Sequence, residues 1–154
     1  MAEVESAFVI GAPNGAARHD LFAHLRVWVD LAVQVFDSGR LWIDGGFVTH
    51  KAAPPHDVDV VLLPDNADSA MTALRHDERA YALLTLQDVF FVTPSPGGTL
   101  RRLQPVGGTM DAFLADPRDN VQMAAWHDLW SSVKGPDGHI IGGQRKGYVE
   151  VRVS

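Results

Sequence analysis

The chain has 154 residues, 46% of them apolar, so we expect one domain over residues 1–154 with a sizeable buried core. Its net charge of -6 opposes direct binding of a polyanion, so a phosphate-bearing ligand is expected to arrive with a metal ion. The lack of cysteine excludes a disulfide scaffold and a cysteine zinc site and fits the cytoplasm, while no apolar run approaches the roughly 18 residues of a membrane span.

The first part of the chain predicts a turn-rich lead, a long helix and a short strand. Residues 1–17 contain several turn formers and a brief strand at Ala7–Ile10. From Arg18 to Gly39 apolar residues recur every three to four positions, which is typical of a helix packed on a core by one side. Leu41–Ile43 then reads as a strand.

The middle of the chain predicts two more strands with a helix between them. One strand runs over Val58–Leu63 and ends at a proline. Asn66 can cap a helix that continues to about Tyr81. Asp88 then opens an apolar strand over residues 89–92.

The last third predicts a long loop, two helical pieces and a closing strand. The loop covers residues 94–109, and the helices cover Met110–Leu114 and Val121–Trp130. Residues 147–153 alternate as a last strand. The order of elements predicts an α/β (α+β) fold, with a small mixed sheet flanked by helices.

Several common catalytic signatures are absent. The chain has no glycine-rich phosphate loop ending in GK and Ser or Thr, and no GxGxxG dinucleotide motif. It has neither the HExxH pair of zinc proteases nor the GxSxG elbow of serine hydrolases. Any chemistry must therefore come from another set of residues.

The strongest chemical signal is a pair of aspartates at the start of a strand. Residues two apart in a strand share a face, so Asp57 and Asp59 project together while their valine neighbours enter the core. Two close carboxylates either share a proton or bind a cation, and Mg2+ prefers such oxygen ligands. Asp88, at the start of another strand, could complete the site. The alternative is that Asp57 caps a turn, although Asp59 lies inside the strand, where aspartate is disfavoured.

The stretch IDGGFVTHKAAPPHDVDVVLL resembles a known family. A strand, a glycine pair, a variable loop and Asp-x-Asp at the head of an apolar strand form the layout of nucleotidyltransferases of the DNA polymerase β superfamily. The chain looks most like the small bacterial and phage members of that group. The closing RKGYVEV is similar to the Lys-Gly-strand ending of the same proteins.

The resemblance implies a function for the three aspartates. Asp57 and Asp59 would bind Mg2+ and the nucleoside triphosphate. Asp88 would complete the metal site and assist deprotonation of the acceptor hydroxyl. The protein would then be an enzyme that moves a nucleoside monophosphate from an NTP, with ATP as the first candidate, to a hydroxyl of a protein or RNA.

The glycine pair carries the second implication of the resemblance. Gly45 and Gly46 would let backbone N–H groups approach the phosphates. The family usually carries serine where this chain has Gly46, so Thr49 and Lys51 are expected to take over part of the serine's task. Alternatively, Gly46 only makes the turn and Lys51 is a solvated surface charge.

Three functions stay open at this point. The first is the Mg2+-dependent transferase, and small proteins of this kind are often one half of a toxin–antitoxin or phage-defence pair with a protein partner. The second is a catalytically inactive nucleotidyltransferase-like domain that binds a nucleotide or a partner, which Gly46 favours. The third is a structural domain whose aspartates only cap turns.

Overall fold

The computed structural model describes residues 1–87, 102–135 and 137–154. Six helices lie in these ranges: α1 Ala2–Phe8, α2 Gly15–Phe36, α3 Ala67–His76, α4 Glu78–Ala82, α5 Pro105–Gly108 and α6 Asn120–Trp130. The same ranges contain eight strands: β1 Gly39–Asp44, β2 Val58–Pro64, β3 Leu86–Gln87, β4 Arg102–Leu103, β5 Met110–Leu114, β6 Ser132–Lys134, β7 Ile140–Arg145 and β8 Val149–Val153.

The main sheet has four strands in the order β5-β2-β1-β8. Strand β1 is antiparallel to both β2 and β8, whereas β2 and β5 run parallel. Two-stranded pairings join β3 to β4 and β6 to β7. The predicted α/β (α+β) class and its mixed sheet are therefore confirmed.

One face of the sheet is closed by α2. The helix turns apolar side chains such as Leu25 and Trp28, both fully buried, onto the inward residues of β1 and β2. The indole Nε1 of Trp28 donates a hydrogen bond to the carbonyl of Leu83 at 2.8 Å, which satisfies its one buried polar group. This face holds the larger apolar core.

The other face carries an aromatic cluster. Trp42, Val61 and Leu63 point to this side and pack with Trp130 of α6. The ring of Tyr148 packs against that of Trp42, with the centroids 4.7 Å apart and the planes tilted by 43°. Within the described parts of the chain, no helix combines the length and the apolarity that a membrane crossing requires.

Three sequence predictions are wrong. The described end of the loop predicted for residues 94–109 contains strand β4, which pairs with β3, and helix α5, which begins at a proline. Ala7–Ile10 does not form a strand, because α1 covers Ala2–Phe8, where alanine and glutamate favour helix. Met110–Leu114 is strand β5 and not a helix. Short apolar runs fit both structures equally well, and parallel pairing with β2 selects the strand here.

The helix after β2 begins as predicted and then breaks. Asn66 caps α3, since its side chain accepts a hydrogen bond from the N–H of Ser69. Asp77 is extended, with φ at -123°, and its side chain accepts from the N–H of Arg79. Asp77 therefore ends α3 and caps α4. The strand predicted for residues 89–92 lies outside the described residues.

Candidate functional site

Of the two aspartates that the spacing singled out, Asp59 lies in strand β2 and Asp57 directly precedes the strand. Val58 and Val60 are fully buried on the face against α2, while Asp57 and Asp59 are partly buried. Because alternate residues of a strand point to opposite faces, Asp59 lies on the face of the aromatic cluster. The charge of Asp57 acts on Asp59, so the two carboxylates are neighbours.

Two more aspartates stand level with Asp59 on the neighbouring strands. Asp44, at the end of β1, pairs with Asp59 in the antiparallel register, and Asp111 of β5 pairs with it in the parallel register. Opposite side chains of an antiparallel pair have their Cβ atoms about 4.5–5.5 Å apart. Asp44 is 7% exposed and Asp111 is 3% exposed, so these carboxylates are largely withdrawn from water. We call Asp44, Asp57, Asp59 and Asp111 the carboxylate cluster.

Sequence reasoning missed both Asp44 and Asp111. Taking Met110–Leu114 for a helix concealed the alignment of Asp111 with Asp59 across the sheet. The available signal was an aspartate inside a short apolar run, the same signal that marks Asp59. Asp111 places a carboxylate on a later strand, level with Asp59. Asp88 lies outside the described residues, and its role as a metal ligand stays a prediction.

The cluster strongly perturbs the titration of Asp59. The pKa of Asp59 is raised to about 6, and burial is the largest cause. The negative charges of Asp57, Asp111 and Asp44 contribute to this rise, in that order, and the ammonium group of Lys134 acts in the opposite direction. Ionised Asp59 is therefore held in an unfavourable environment near neutral pH, where a cation would relieve the repulsion.

Two lysines supply part of the opposing charge. Lys146 donates a hydrogen bond from Nζ to Oδ1 of Asp44. Its backbone N–H donates to the carbonyl of Ser131 at 2.8 Å, which fixes Lys146 beside the β6–β7 hairpin that also carries Lys134. At Asp59 the effect of Lys134 is outweighed by burial and by the three neighbouring carboxylates, because the pKa of Asp59 is raised on balance. A cation bound beside Asp59 would favour its ionised form.

The loop after β1 brings backbone against the carboxylate of Asp59. We call residues 45–52 the glycine loop. Gly45 has φ at +79°, and a Cβ at this position would lie 1.8 Å from Oδ2 of Asp59. Gly46 has no such constraint, because its added Cβ would make an ordinary 3.5 Å contact with Cβ of Pro55. Glycine is therefore required at Gly45 by space and by backbone conformation, but a side chain fits at Gly46.

Thr49 and Lys51 have different surroundings within the glycine loop. The hydroxyl of Thr49 donates to the carbonyl of Gly46 at 2.8 Å, and its backbone N–H donates to the same carbonyl at 3.3 Å. Thr49 therefore closes a turn with its hydroxyl proton. Lys51 is exposed. Their predicted part in replacing the family's serine stays a prediction.

The chemistry of the cluster fits Mg2+. All four groups offer carboxylate oxygens, the ligands that this hard cation prefers. In the conformation of the described ranges, no three His, Cys, Asp or Glu side chains form a group that could enclose a metal ion. Mg2+ is commonly held by one or two carboxylates together with substrate phosphates, and that mode needs no protein cage. Asp57 and Asp59 are the pair suited to it.

An apolar pocket of about 510 Å³ lies beside β5. Its lining includes Thr85, Ala112 and Trp126 and none of the four carboxylate-cluster residues. Asp116, the carboxylate that does line it, is bound by Arg118 at 2.9 Å. The pocket offers apolar contact without free acidic groups, so the carboxylate cluster is the better candidate for chemistry.

Comparison with known families gives one match. A model described as a family of unknown function (DUF6932) matches residues 1–152. This range includes the carboxylate cluster, the glycine loop and both lysines. No curated protein and no solved structure matches the chain. The function must therefore be argued from the site itself.

Proposed function

Because this chain belongs to a family of unknown function (DUF6932), we propose its activity from the carboxylate cluster. The proposed activity is Mg2+-dependent transfer of a nucleoside monophosphate from an NTP, with ATP as the first candidate, to a hydroxyl of a protein or RNA. The observation that carries the proposal is the alignment of Asp59 with Asp111 across the sheet, with Asp57 two residues before it.

Asp57 and Asp59 would hold the metal together with the phosphates, and Asp111 would be the neighbouring carboxylate, level with Asp59 on β5. When bound, Mg2+ would neutralise the charge of the phosphates and of the pyrophosphate leaving group. The protein supplies the geometry for this: β2 and β5 keep the carboxylates in register, and burial limits their screening by water.

The proposed reaction balances as a single displacement. The oxygen of the acceptor hydroxyl forms a bond to the α-phosphorus of the NTP. The bond from that phosphorus to the oxygen bridging to the β-phosphorus breaks, and pyrophosphate leaves. The proton of the hydroxyl passes to a carboxylate, for which Asp111 and the sequence-predicted Asp88 are the candidates.

The glycine loop and the lysines fit the phosphate side of this reaction. The backbone of Gly45 lies directly against Asp59, so a phosphate chain bound beside the glycine loop would also be close to the metal-binding pair. Lys134 and Lys146 bring positive charge to the same end of the sheet. Together they can offset part of the charge of a triphosphate.

The acceptor, the partner and the location belong to the same proposal. A protein or RNA hydroxyl is the acceptor class, and a cognate toxin or antitoxin is the proposed protein partner. The cytoplasm is the proposed location, since the chain has no cysteine and its proposed donor is ATP.

A second candidate is a catalytically inactive domain of the same kind that binds a nucleotide or a partner protein. Gly46 favours it, because the resembling enzymes carry a serine hydroxyl there that helps to hold the leaving phosphates. The retained aspartates favour the active enzyme. The raised pKa of Asp59 means that its ionised form is disfavoured in the fold, a cost in stability that an inactive domain has no need to keep.

The decisive experiment follows label from the α-phosphate of an NTP. Purified protein is incubated with Mg2+, each of the four labelled NTPs in turn, and either total RNA or the protein fraction of a cell lysate. Transfer of label to a macromolecule by the native chain, and not by Asp57→Asn/Asp59→Asn, supports the enzyme. Asp30→Asn, exposed on α2, serves as the matched control.

Calorimetry separates the two candidates. Mg2+-dependent binding of ATP that is lost in Asp57→Asn/Asp59→Asn, without transfer to any acceptor, supports the inactive binding domain. Binding of ATP that is the same with and without Mg2+, or unchanged in the double variant, contradicts both candidates. It would favour the purely structural explanation of the aspartates.

A further inference from the structure

A buried arginine donates hydrogen bonds to the backbone of the glycine loop. Arg18, in the first turn of α2, is 0% exposed. Its guanidinium donates four hydrogen bonds to backbone carbonyls, two of which belong to the glycine loop: Phe47 and Thr49, each at 2.5 Å. The other two acceptors are Pro13 at 2.7 Å and Phe8 at 3.3 Å. The planar fork of donors is thus used almost completely on neutral oxygens.

Burial of this charge calls for an explanation. None of the ion pairs among the described residues includes Arg18. A buried charge without a counter-ion is costly even when its hydrogen bonds are made. A methionine or leucine could fill the same space in a core that only had to be packed. The hydrogen bonds to the glycine loop therefore point to a role beyond packing.

Other contacts link the glycine loop to residues 7–14, near the start of the chain. Asn14 donates from Nδ2 to the carbonyl of Ala52 at 2.8 Å. Nε2 of His50 lies 3.0 Å from the carbonyl of Ala7, and its ring meets Phe8 edge to face. Phe47 is fully buried in the larger core. Residues 7–18 thus contact the glycine loop at several positions between Phe47 and Ala52.

The hydrogen bonds of Arg18 set the direction of two peptide groups. In a trans peptide unit the C=O and the following N–H point in opposite directions. The carbonyls of Phe47 and Thr49 turn inward to Arg18, so the N–H groups of Val48 and His50 face away from the guanidinium. Two backbone N–H groups that face away from the guanidinium on the same loop can both donate to one anion.

We propose that Arg18 is a positioning residue that orients the N–H groups of Val48 and His50 to bind the phosphate chain of the nucleotide. The inference rests on the nucleotidyltransferase function proposed above, and it names the part of the loop that receives the phosphates. Arg18 does not touch the ligand. Its charge also polarises the two peptide groups, which strengthens their N–H groups as donors.

The test uses inorganic tripolyphosphate with Mg2+ as the probe, since this ligand contains the phosphate chain without base or sugar. Arg18→Lys keeps the charge but loses the fork of donors, so it is expected to raise the Kd for the probe at least about tenfold. Arg26→Met, an exposed arginine on the same helix, is the control and is expected to leave the Kd unchanged. Calorimetry is done at low temperature, where circular dichroism shows each variant folded.

Hydrogen exchange on the native chain gives a second measurement that needs no variant. Adding Mg2+ and tripolyphosphate is expected to slow exchange of the backbone amides of Val48 and His50, because both N–H groups would then donate to the phosphates. No protection of these two amides in a native chain that binds the probe would overturn the proposal, even if Arg18→Lys failed to fold. The same holds for a folded Arg18→Lys with the Kd of the native chain.

Failure of the proposed function gives a different result. A native chain that binds neither tripolyphosphate nor ATP in the presence of Mg2+ contradicts the nucleotide function, and the role of Arg18 falls with it. A native chain that binds both, with Arg18→Lys unaffected, contradicts only the role of Arg18.

Discussion

The two faces of strand β2 carry different kinds of side chain. Toward α2 the strand presents Val58, Val60 and Leu62, which are 0–2% exposed and pack in the larger core. Toward the other face it presents Asp59, with Asp57 directly before the strand, and then apolar residues. Burial of the first face stabilises the fold, whereas holding ionisable groups together on the second face lowers its stability. One strand thus combines a stabilising surface with a destabilising one.

Selection for stability alone would not have produced the acidic face of β2. A sheet end filled with valine would be more stable than one with Asp44, Asp59 and Asp111 in register. Strained and repelling groups that persist in a well-packed fold mark functional sites more often than structural ones. The variants below test this contrast from the largest expected effect to the smallest.

Truncation on the apolar face is expected to have the largest effect. Leu62→Ala removes a side chain that is 2% exposed and should lower the free energy of unfolding by about 3 to 4 kcal/mol. Urea denaturation measures the loss. Binding of Mg2+ and ATP at low temperature should be unchanged, because Leu62 points away from the carboxylate cluster. A loss below about 1 kcal/mol would mean that this face is not the main core.

Neutralisation on the acidic face is expected to act in the opposite direction. The pKa of Asp59 is about 6 in the folded chain against an ordinary value of 3.8, so the native state binds more protons between these two values. Stability of the metal-free protein therefore falls as pH rises through this window. Asp59→Asn should raise the free energy of unfolding by about 2 to 3 kcal/mol near pH 7.5 and have little effect near pH 4.

Denaturation at the two pH values checks this prediction, with Asp30→Asn as the surface control. A destabilised Asp59→Asn at neutral pH would show that Asp59 has a stabilising structural role. That result would remove the contrast between the two faces.

The glycine pair offers a matched comparison inside the site. Gly45→Ala forces alanine into a positive φ and places Cβ 1.8 Å from Oδ2 of Asp59, so a loss of about 1 to 2 kcal/mol is expected. Gly46→Ala meets Pro55 at an ordinary 3.5 Å and should change the free energy of unfolding by less than about 0.5 kcal/mol. Thermal unfolding of the two variants should separate them. Equal losses would show that Asp59 does not lie against Gly45.

The smallest effect on stability is expected for Gly46→Ser, which nevertheless sharpens the functional contrast. A Cβ at Gly46 makes only an ordinary contact, so the free energy of unfolding should change by less than about 0.5 kcal/mol. The added hydroxyl restores the residue found in the resembling enzymes and should tighten binding of Mg2+ and tripolyphosphate. Calorimetry against Gly46→Ala as the control measures this. Equal affinity in the two variants would mean that a serine at this position makes no phosphate contact here.

The long elements were predictable because their patterns were strong. Helix α2 and strand β2 follow from sustained periodicity and from the proline that ends the strand. The helix prediction for residues 110–114 was wrong because a short, mostly apolar run fits a strand and a helix turn equally well. The choice depends on a partner strand that is about 50 residues away in the chain.

The site was predictable only in part for the same reason. Asp57 and Asp59 are close in sequence, so their shared face follows from the geometry of a strand. Asp44 and Asp111 join them through strand pairing, which no local pattern reports. The backbone hydrogen bonds of Arg18 are also invisible in the sequence, where it looks like one more polar residue of an amphipathic helix.

The most direct test of the central claim is the pKa of the Asp59 carboxyl, followed by NMR with and without ligand. In the free protein the carboxyl is expected to titrate at about 6. With saturating Mg2+ and a non-hydrolysable ATP analogue, its pKa should fall below the ordinary value, since a cation bound to the carboxylate favours the ionised form. An Asp59 carboxyl that still titrates at about 6 with both ligands present would contradict the claim that this cluster exists to bind a metal-bound nucleotide.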